Sequence, residues 1–432
     1  MARRRAASAD KSTDDAPLPG ARAAVALLLC INLFNYVDRT ILSAVVPRIR
    51  ETFFPNAGPH DDLALTGMLG TWFIVSYMLA APVFGWLADL MSRWVLIGIS
   101  VILWSLLTGG SGLAKTFGML LMTRILIGIG EAGYGPAAPT IISDLYPVRR
   151  RGEVLAWFYM AIPVGSALGY ALGGPIGAAF GWRAAFFTAM PAGLVMGVLC
   201  FMMKDPQRGR ADRTTCSRRA RPRDYLLLFR TPSYVLDTAG MAAMTFAIGG
   251  IAFWMPTYIS QIRHAGGLAT VNLVFGGITV VTGLSATLLG GKAGDALRDR
   301  YAGSYFLVSG VGILLCCPFI LLMLWTPFPL AWVWIFLAEF FLFFNTGPSN
   351  TILANVTHPS VRATGFALNI LLIHAIGDAP SPPILGAIAG HFGWNAAFVV
   401  VTAVTALGGI LWMMGIRYLD ADTRAAPGRL RE

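Results

Sequence analysis

The sequence predicts an all-α membrane protein: twelve transmembrane helices in two pseudo-symmetric six-helix bundles. Three observations predict it. Charge is scarce, apolar runs of spanning length recur twelve times, and the second half repeats motifs of the first.

Only 13% of the 432 residues are charged and 56% are hydrophobic. Soluble globular domains carry roughly 25% charged residues. Such a chain cannot cover itself with a water-facing surface, so most of it must face lipid or other apolar helices. The formal net charge of +11 raises nucleic-acid binding as a possibility. The basic residues, however, sit in short loops between apolar stretches, as membrane topology requires, and nucleic acid is set aside as a partner. The five cysteines show no metal-site or disulfide spacing; four of them, Cys30, Cys200, Cys316 and Cys317, lie inside apolar stretches and read as small packing residues. No metal and no cofactor is expected.

A spanning helix needs about 20 mostly apolar residues. Such spans fall near 22–47, 64–88, 94–114, 116–142, 153–179, 184–203, 233–259, 269–291, 302–325, 328–354, 363–389 and 394–416. A polar spacer with Asp10, Asp14 and Asp15 precedes the first, and Asp38-Arg39 interrupts it, so it reads as a retained helix rather than a cleaved export signal. With twelve spans both termini share one side. That side holds Arg3–Arg5, Arg93, Arg149–Arg151, the basic loop from Lys204 to Arg230, Lys292, Arg298, Arg300, Arg362 and the tail from Arg417. The other side holds only Arg48, Arg50, Lys115, Arg183 and Arg263. Positive charge marks the cytoplasmic side, so both termini are expected in the cytoplasm. The expected organisation is a tail at 1–21, a six-helix bundle at 22–203, a basic cytoplasmic linker at 204–232, a second bundle at 233–417 and a tail at 418–432. The arginine-rich, lysine-poor composition fits a bacterial chain, hence a multi-pass protein of the inner membrane.

The repeat supports the two-bundle plan. Gly135-Pro136 maps onto Gly347-Pro348 (347 − 135 = 212), and Pro147, Arg150 and Gly165 map onto Pro359, Arg362 and Gly377 at the same offset. Gly181-Trp182 maps likewise onto Gly393-Trp394. Nearer each half's start, Gly85 and Asp89 map onto Gly291 and Asp295 (295 − 89 = 206). Parallel internal repeats of this kind are a plan of secondary transporters.

Charge inside a span is costly and marks a functional candidate. Asp38 and Arg39 lie in span 1, Arg124 and Glu131 in span 4. Arg124 and Glu131 are seven residues apart, close to two helical turns, and share a face. A carboxylate beside a buried arginine can ionise, whereas one in apolar surroundings keeps its proton. Asp38 and Glu131 are thus candidate proton carriers, with Arg39 and Arg124 as switching partners; a static buried salt-bridge cluster is the competing reading. His374 and Asp378 lie four apart on one face of span 11, and His374 is either a titrating group or a hydrogen-bonded packing residue. Glu339 in span 10 is a further lone carboxylate. Gly85, Asp89 and Arg93 at the inner end of span 2, with Asp295 in the second copy, look like a conformational latch. Gly165 and Gly169 line one face of span 5 for close helix approach, and Pro136, Pro139 and Pro348 should bend spans 4 and 10.

Two motifs mislead. Gly128-Ile129-Gly130-Glu131-Ala132-Gly133 matches a dinucleotide-binding pattern but lies mid-span, without the required strand. Asn355-Val356-Thr357 matches a glycosylation sequon on the side read as cytoplasmic. Neither a phosphate-binding loop nor other enzyme chemistry is found, so the chain reads as no enzyme, driven by an ion gradient or by its substrate's own.

The stretch from Gly85 to Arg93 and the duplicated plan resemble the major facilitator superfamily across nearly the whole chain. More specific stretches resemble the Spinster family of lipid transporters: Asn35-Tyr36-Val37-Asp38-Arg39, Gly128 to Tyr134 around Glu131, Ala161 to Ser166 with Gly169-Tyr170, and His374 to Ala379 with Ser381-Pro382. One departure stands out: Pro380 follows Gly377-Asp378-Ala379, where the family often has glycine. The resemblance implies the major facilitator fold and movement of lysophospholipids or sphingosine-phosphate-like lipids, often linked to protons. It implies that Asp38, Arg39, Arg124 and Glu131 form the polar cavity cluster and that His374 is the span-11 histidine. The expected function is secondary active transport of such an amphiphile by alternating access, coupled to protons, by a monomer among membrane lipids. Two alternatives stand beside it: a carrier of small organic anions or drugs, and a passive lipid scramblase or channel-like conduit.

Overall fold

The computed structural model describes residues 18–426 apart from 57, 59–60, 147, 208–221, 299 and 359–361. The described chain runs through α1 (Ala21–Phe53), α2 (Leu63–Leu90), α3 (Arg93–Ser111), α4 (Phe117–Glu131), α5 (Ala137–Leu145), α6 (Val148–Phe180) and α7 (Trp182–Cys200). After the short α8 (Pro222–Phe229) come α9 (Pro232–Thr257), α10 (Leu268–Arg298), α11 (Ser304–Trp325), α12 (Ala331–Phe343), α13 (Thr346–Val356), α14 (Arg362–Ile373), α15 (Ser381–Phe392), α16 (Trp394–Gly415) and α17 (Leu419–Ala425). Among the described residues, ten helices or joined helix pairs are long and apolar enough to cross a membrane. The other two predicted spans are α4 with α5, which a turn divides, and the 33-residue α6.

The helices divide into two compact units, one of Met1–Leu42 with Val75–Thr215, the other of Ser43–Ile74 with Cys216–Glu432. The second unit therefore takes in the end of α1 and the start of α2, which the expected 22–203 bundle had included. Missing side chains explain the close fit. A Cβ on Gly67 would lie 2.6 Å from the Pro382 carbonyl, and one on Gly386 would lie 2.5 Å from Leu63 O. Arg50, buried at the end of α1, donates to Gln261 Oε1 at 3.2 Å and to Asp61 O at 2.8 Å within the same unit. Helix α1 continues past Pro47 to Phe53.

The repeat is visible in the backbone. Span 4 breaks after Glu131 and span 10 after Phe343, at one repeat position (343 − 131 = 212). Gly133 and Pro136 sit in the first break, ahead of α5. Gly181 and Gly393 both adopt left-handed φ, +84° and +82°, and each caps the helix opened by the following tryptophan. Only glycine adopts that conformation without strain. Gly165 and Gly169 of α6 abut α1 at Leu33 O and Val37 O, and Gly377 abuts α9 at Ala242 O. Span 5 thus packs on span 1 as span 11 packs on span 7. Two arginines satisfy helix-end carbonyls: Arg183 donates to Ala114 O beyond α3, and Arg263 to Met323 O, Leu324 O and Thr326 O at the end of α11.

Candidate functional site

In the first unit, close packing of α6 against Leu33, Val37 and Thr40 occupies one face of α1. The Asp38-Arg39 edge is turned to α3 and α4. Helix α4 is started by Thr116, whose hydroxyl accepts from Met119 N. It carries Arg124 and Glu131 on its buried face, and Gly130 between them lets α4 approach Trp104 of α3.

The four intramembrane charges come together. Arg39 Nε donates to Glu131 Oε2 at 2.8 Å, with the Glu131 side chain fully buried. The Arg39 guanidinium lies 5.1 Å from the Tyr36 ring centroid and 5.0 Å from that of Tyr77, an arrangement in which ring faces attract cations. Arg124 is 1% exposed and interacts electrostatically with both Glu131 and Asp38. Asp38 is buried, with the Thr108 hydroxyl 3.5 Å from Oδ2 and the Trp104 indole beside it. Asp38 Oδ1 and Glu131 Oε1 make no hydrogen bond. The cluster therefore holds two carboxyl groups and two guanidiniums in a buried space, with one oxygen on each carboxyl open to a proton or a polar ligand.

The remaining predicted residues have other partners. His374 and Asp378 form a pair, Nδ1 to Oδ1 at 2.9 Å, with side chains 30% and 20% exposed. They open and close a π-helical turn, His374–Asp378, that joins α14 to α15. Glu339 of α12 is buried and meets the hydroxyls of Thr279 and Thr282 on α10. Asp295 accepts from Tyr305 Oη at 2.8 Å, and Arg298 lies over that ring. Gly85 faces Pro136 at ordinary contact distance. Arg93 is buried and bound inside the first unit, to Asp144 at 2.5 Å and to Asp205 at 2.8 Å. The Asp89 side chain, the side chains of Arg149–Arg151 and Arg362, the Arg3–Arg5 cluster and residues 208–221 of the basic linker lie outside the described residues.

Three carboxylates escaped the sequence reading. Asp144 and Asp205 sit near helix ends, and nothing local marks them as partners of Arg93. Asp237 was within reach: it lies inside span 7, where the rule that singles out Asp38 applies equally. It is fully buried and accepts from Trp412 Nε1 at 2.9 Å. A cavity of about 800 Å³ opens between the α1–α2 loop and α15, beside Phe53, Asp61 and His391; none of the predicted site residues lines it.

Known proteins share this architecture. A family model described as the Major Facilitator Superfamily matches residues 28–382. The chain is 35% identical to Protein spinster homolog 3 of Danio rerio, over 93% of this chain and 86% of that protein. It is 34% identical to Protein spinster homolog 1 of Homo sapiens, over 94% and 83%. Its structure is similar to that of a bacterial homolog to the human lysosomal transporter Spinster in an inward-facing and unoccupied conformation, with a TM-score of 0.83, 20% identity, and coverage of 94% of this chain and 99% of that one. A D-xylose-proton symporter matches with a TM-score of 0.73 and 14% identity, over 90% and 96%. At these identities the two structural matches speak for the fold alone.

Proposed function

Because the chain belongs to the major facilitator superfamily and, within it, to the Spinster family, we propose that this multi-pass membrane transporter moves a lysophospholipid or sphingolipid-like amphiphile by alternating access, coupled to protons. The observation that carries the proposal is the buried cluster of Asp38, Arg39, Arg124 and Glu131. With both carboxyls ionised, two negative and two positive charges cancel. A proton on Asp38 or Glu131 leaves one guanidinium in excess. An arginine released in this way binds an anionic headgroup through charge-assisted, often bidentate hydrogen bonds. Headgroup binding and proton binding then favour each other, since differential affinity for two states is what couples two ligands. Tyr36 and Tyr77 hold the Arg39 plane while its carboxylate partner changes charge.

The lipid identity rests on family membership, and the coupling on the cluster. The charge bias between loops supports a bacterial inner-membrane location with both termini cytoplasmic. The working unit we propose is a monomer of two bundles, 22–203 and 233–417, joined by the 204–232 linker.

The test is uptake of labelled lysophospholipid into proteoliposomes, with and without an imposed pH gradient, for wild type and Asp38→Asn. The expected result is saturable, gradient-driven uptake that the substitution abolishes. Saturable uptake indifferent to the gradient would keep the lipid and sink the coupling. Failure to carry lysolipid, with uptake of organic anions instead, would move the substrate to small carboxylates held by the same arginines. Uptake that neither saturates nor responds to pH would point to a passive conduit.

A further inference from the structure

The second unit carries a buried carboxyl whose partners differ in kind from those of Glu131. Glu339 of α12 is 5% exposed and, among the described residues, is in no salt bridge. Its hydrogen-bonding contacts are two threonine hydroxyls of α10. Thr279 Oγ1 lies 3.4 Å from Glu339 Oε1 and 3.2 Å from Oε2. Thr282 Oγ1 lies 3.3 Å from Oε2. The helices packed on α12 are α10 and α11. The titratable group they bring within electrostatic reach is the buried Cys316 thiol of α11. The nearest basic residue along α10, Lys292, lies ten residues beyond Thr282, about 15 Å along the helix axis.

Counting protons decides what Glu339 is. A hydroxyl has one proton to give. In a helix, threonine commonly gives it to the carbonyl one turn back. Both do so here at shorter range than they approach Glu339: Thr279 Oγ1 to Phe275 O at 3.0 Å, and Thr282 Oγ1 to Ile278 O at 2.8 Å. A proton held by its nearer carbonyl leaves each hydroxyl only a lone pair for Glu339, to which it would otherwise donate at 3.2–3.4 Å. An ionised carboxylate only accepts, so it would face two further acceptors, with the weak S–H donor of Cys316 in reach and, among the described residues, no salt-bridging cation. The acid form has a proton to donate, and Oε2 is the oxygen that meets both hydroxyls. Distances of 3.2 and 3.3 Å exceed the 2.5–3.0 Å of a two-centre O–H···O bond, as befits one proton shared by two acceptors. Among the described residues no group of three or more His, Cys, Asp or Glu side chains gathers to hold a metal ion.

We propose that Glu339 is a proton-binding site of the second unit, resting as the neutral acid with Thr279 and Thr282 as the acceptors of its proton. Glu339 then contributes a proton-bearing group that no arginine neutralises. The proposal concerns protonation and does not depend on the lipid being the substrate or on Asp38 being the coupler.

The chain has only five glutamates, Glu51, Glu131, Glu153, Glu339 and Glu432, which makes isotope-edited spectroscopy practical. The full-length protein, carboxyl-labelled at glutamate and reconstituted in lipid without substrate, is followed by infrared difference spectroscopy between neutral and alkaline pH. The expected result is a labelled protonated-carboxyl band at neutral pH that Glu339→Gln removes and Asp38→Asn leaves in place. Thr279→Val with Thr282→Val is expected to shift that band to higher frequency without removing it, because the acid loses its acceptors. The Gln variant keeps a donor for the same acceptors and is expected to stay monodisperse with an unchanged melting temperature. A labelled band that Glu339→Gln leaves undiminished would overturn the proposal, a remainder that Glu131→Gln removes being the proton of Glu131. So would a Glu339 carboxylate band at neutral pH, or one that moves on titration with sodium, which would make the site a cation site. Loss of lysolipid uptake in either variant leaves the spectrum readable, so failure of the transport proposal and failure of this one are told apart.

Discussion

Span 4 carries Arg124 and Glu131, and at the same repeat positions span 10 carries Phe336 and Phe343 (336 − 124 = 343 − 131 = 212). Both spans break at one repeat position, and both halves seat a glycine of the fifth helix of the set against the first. Backbone contacts are shared across the repeat, while the Arg124 and Glu131 charges of span 4 are present in one copy only. In the first unit Glu131 is paired with the Arg39 guanidinium; in the second Asp237 meets an indole and Glu339 meets hydroxyls. The difference separates two demands on one fold. Helix packing needs small residues at fixed places in both halves, whereas a switchable charge cluster needs to exist once.

The largest effect should come from breaking the charge cluster that only one half has. Arg39→Ala leaves Glu131 buried beside fewer positive charges, and removing one partner of a buried pair costs about 3–5 kcal/mol. A marked fall in melting temperature in detergent is expected, with much of it recovered when Glu131→Gln is added. An additive or harmless outcome would remove the pair from the account. Next in size are the contacts both halves share. Gly165→Leu and Gly377→Leu force side chains into α1 and α9, and overpacking costs about 1–3 kcal/mol. Similar losses from the two variants in the same melting assay would sharpen the repeat; a loss in one alone would show that the halves pack differently despite their sequence. The smallest effect is expected at His374, whose pair with Asp378 is partly exposed. Partly exposed ion pairs are worth about 0.2–1 kcal/mol, so His374→Ala should barely move the melting curve. A larger shift would assign that histidine to the packing of span 11.

Much of this was legible in the residues because membrane burial writes strong signals. Asp38, Arg39, Arg124 and Glu131 stood out since charge is rare in apolar runs, and the spacing of Arg124 and Glu131 placed them on one face. That Arg39 rather than Arg124 hydrogen-bonds Glu131 was not legible, because it depends on how α1 and α4 are rotated. Pro136 and Pro348 foretold bends where the chain breaks outright, the flanking residues forming turns. The partners of Arg93 are 51 and 112 residues away, beyond any local pattern. The grouping of Ser43–Ile74 with the second unit depends on Gly67 and Gly386, which read only as ordinary small residues in a span.

The π-helical turn at His374–Asp378 stands directly before Pro380, Pro382 and Pro383. Prolines carry no amide hydrogen, so the carbonyls of Ile376, Asp378 and Ala379 lose the donors that would continue a regular helix, and the Ser381 hydroxyl reaches back to Asp378 O at 3.3 Å. Mechanically, span 11 is two rods, α14 and α15, joined by a coupling with a thinned hydrogen-bond ladder. A π turn also adds a residue to the winding, which turns the second rod by about 100° relative to a continuous helix. Deleting one residue from that coupling would leave its length nearly unchanged and rotate every α15 side chain away from its present neighbours.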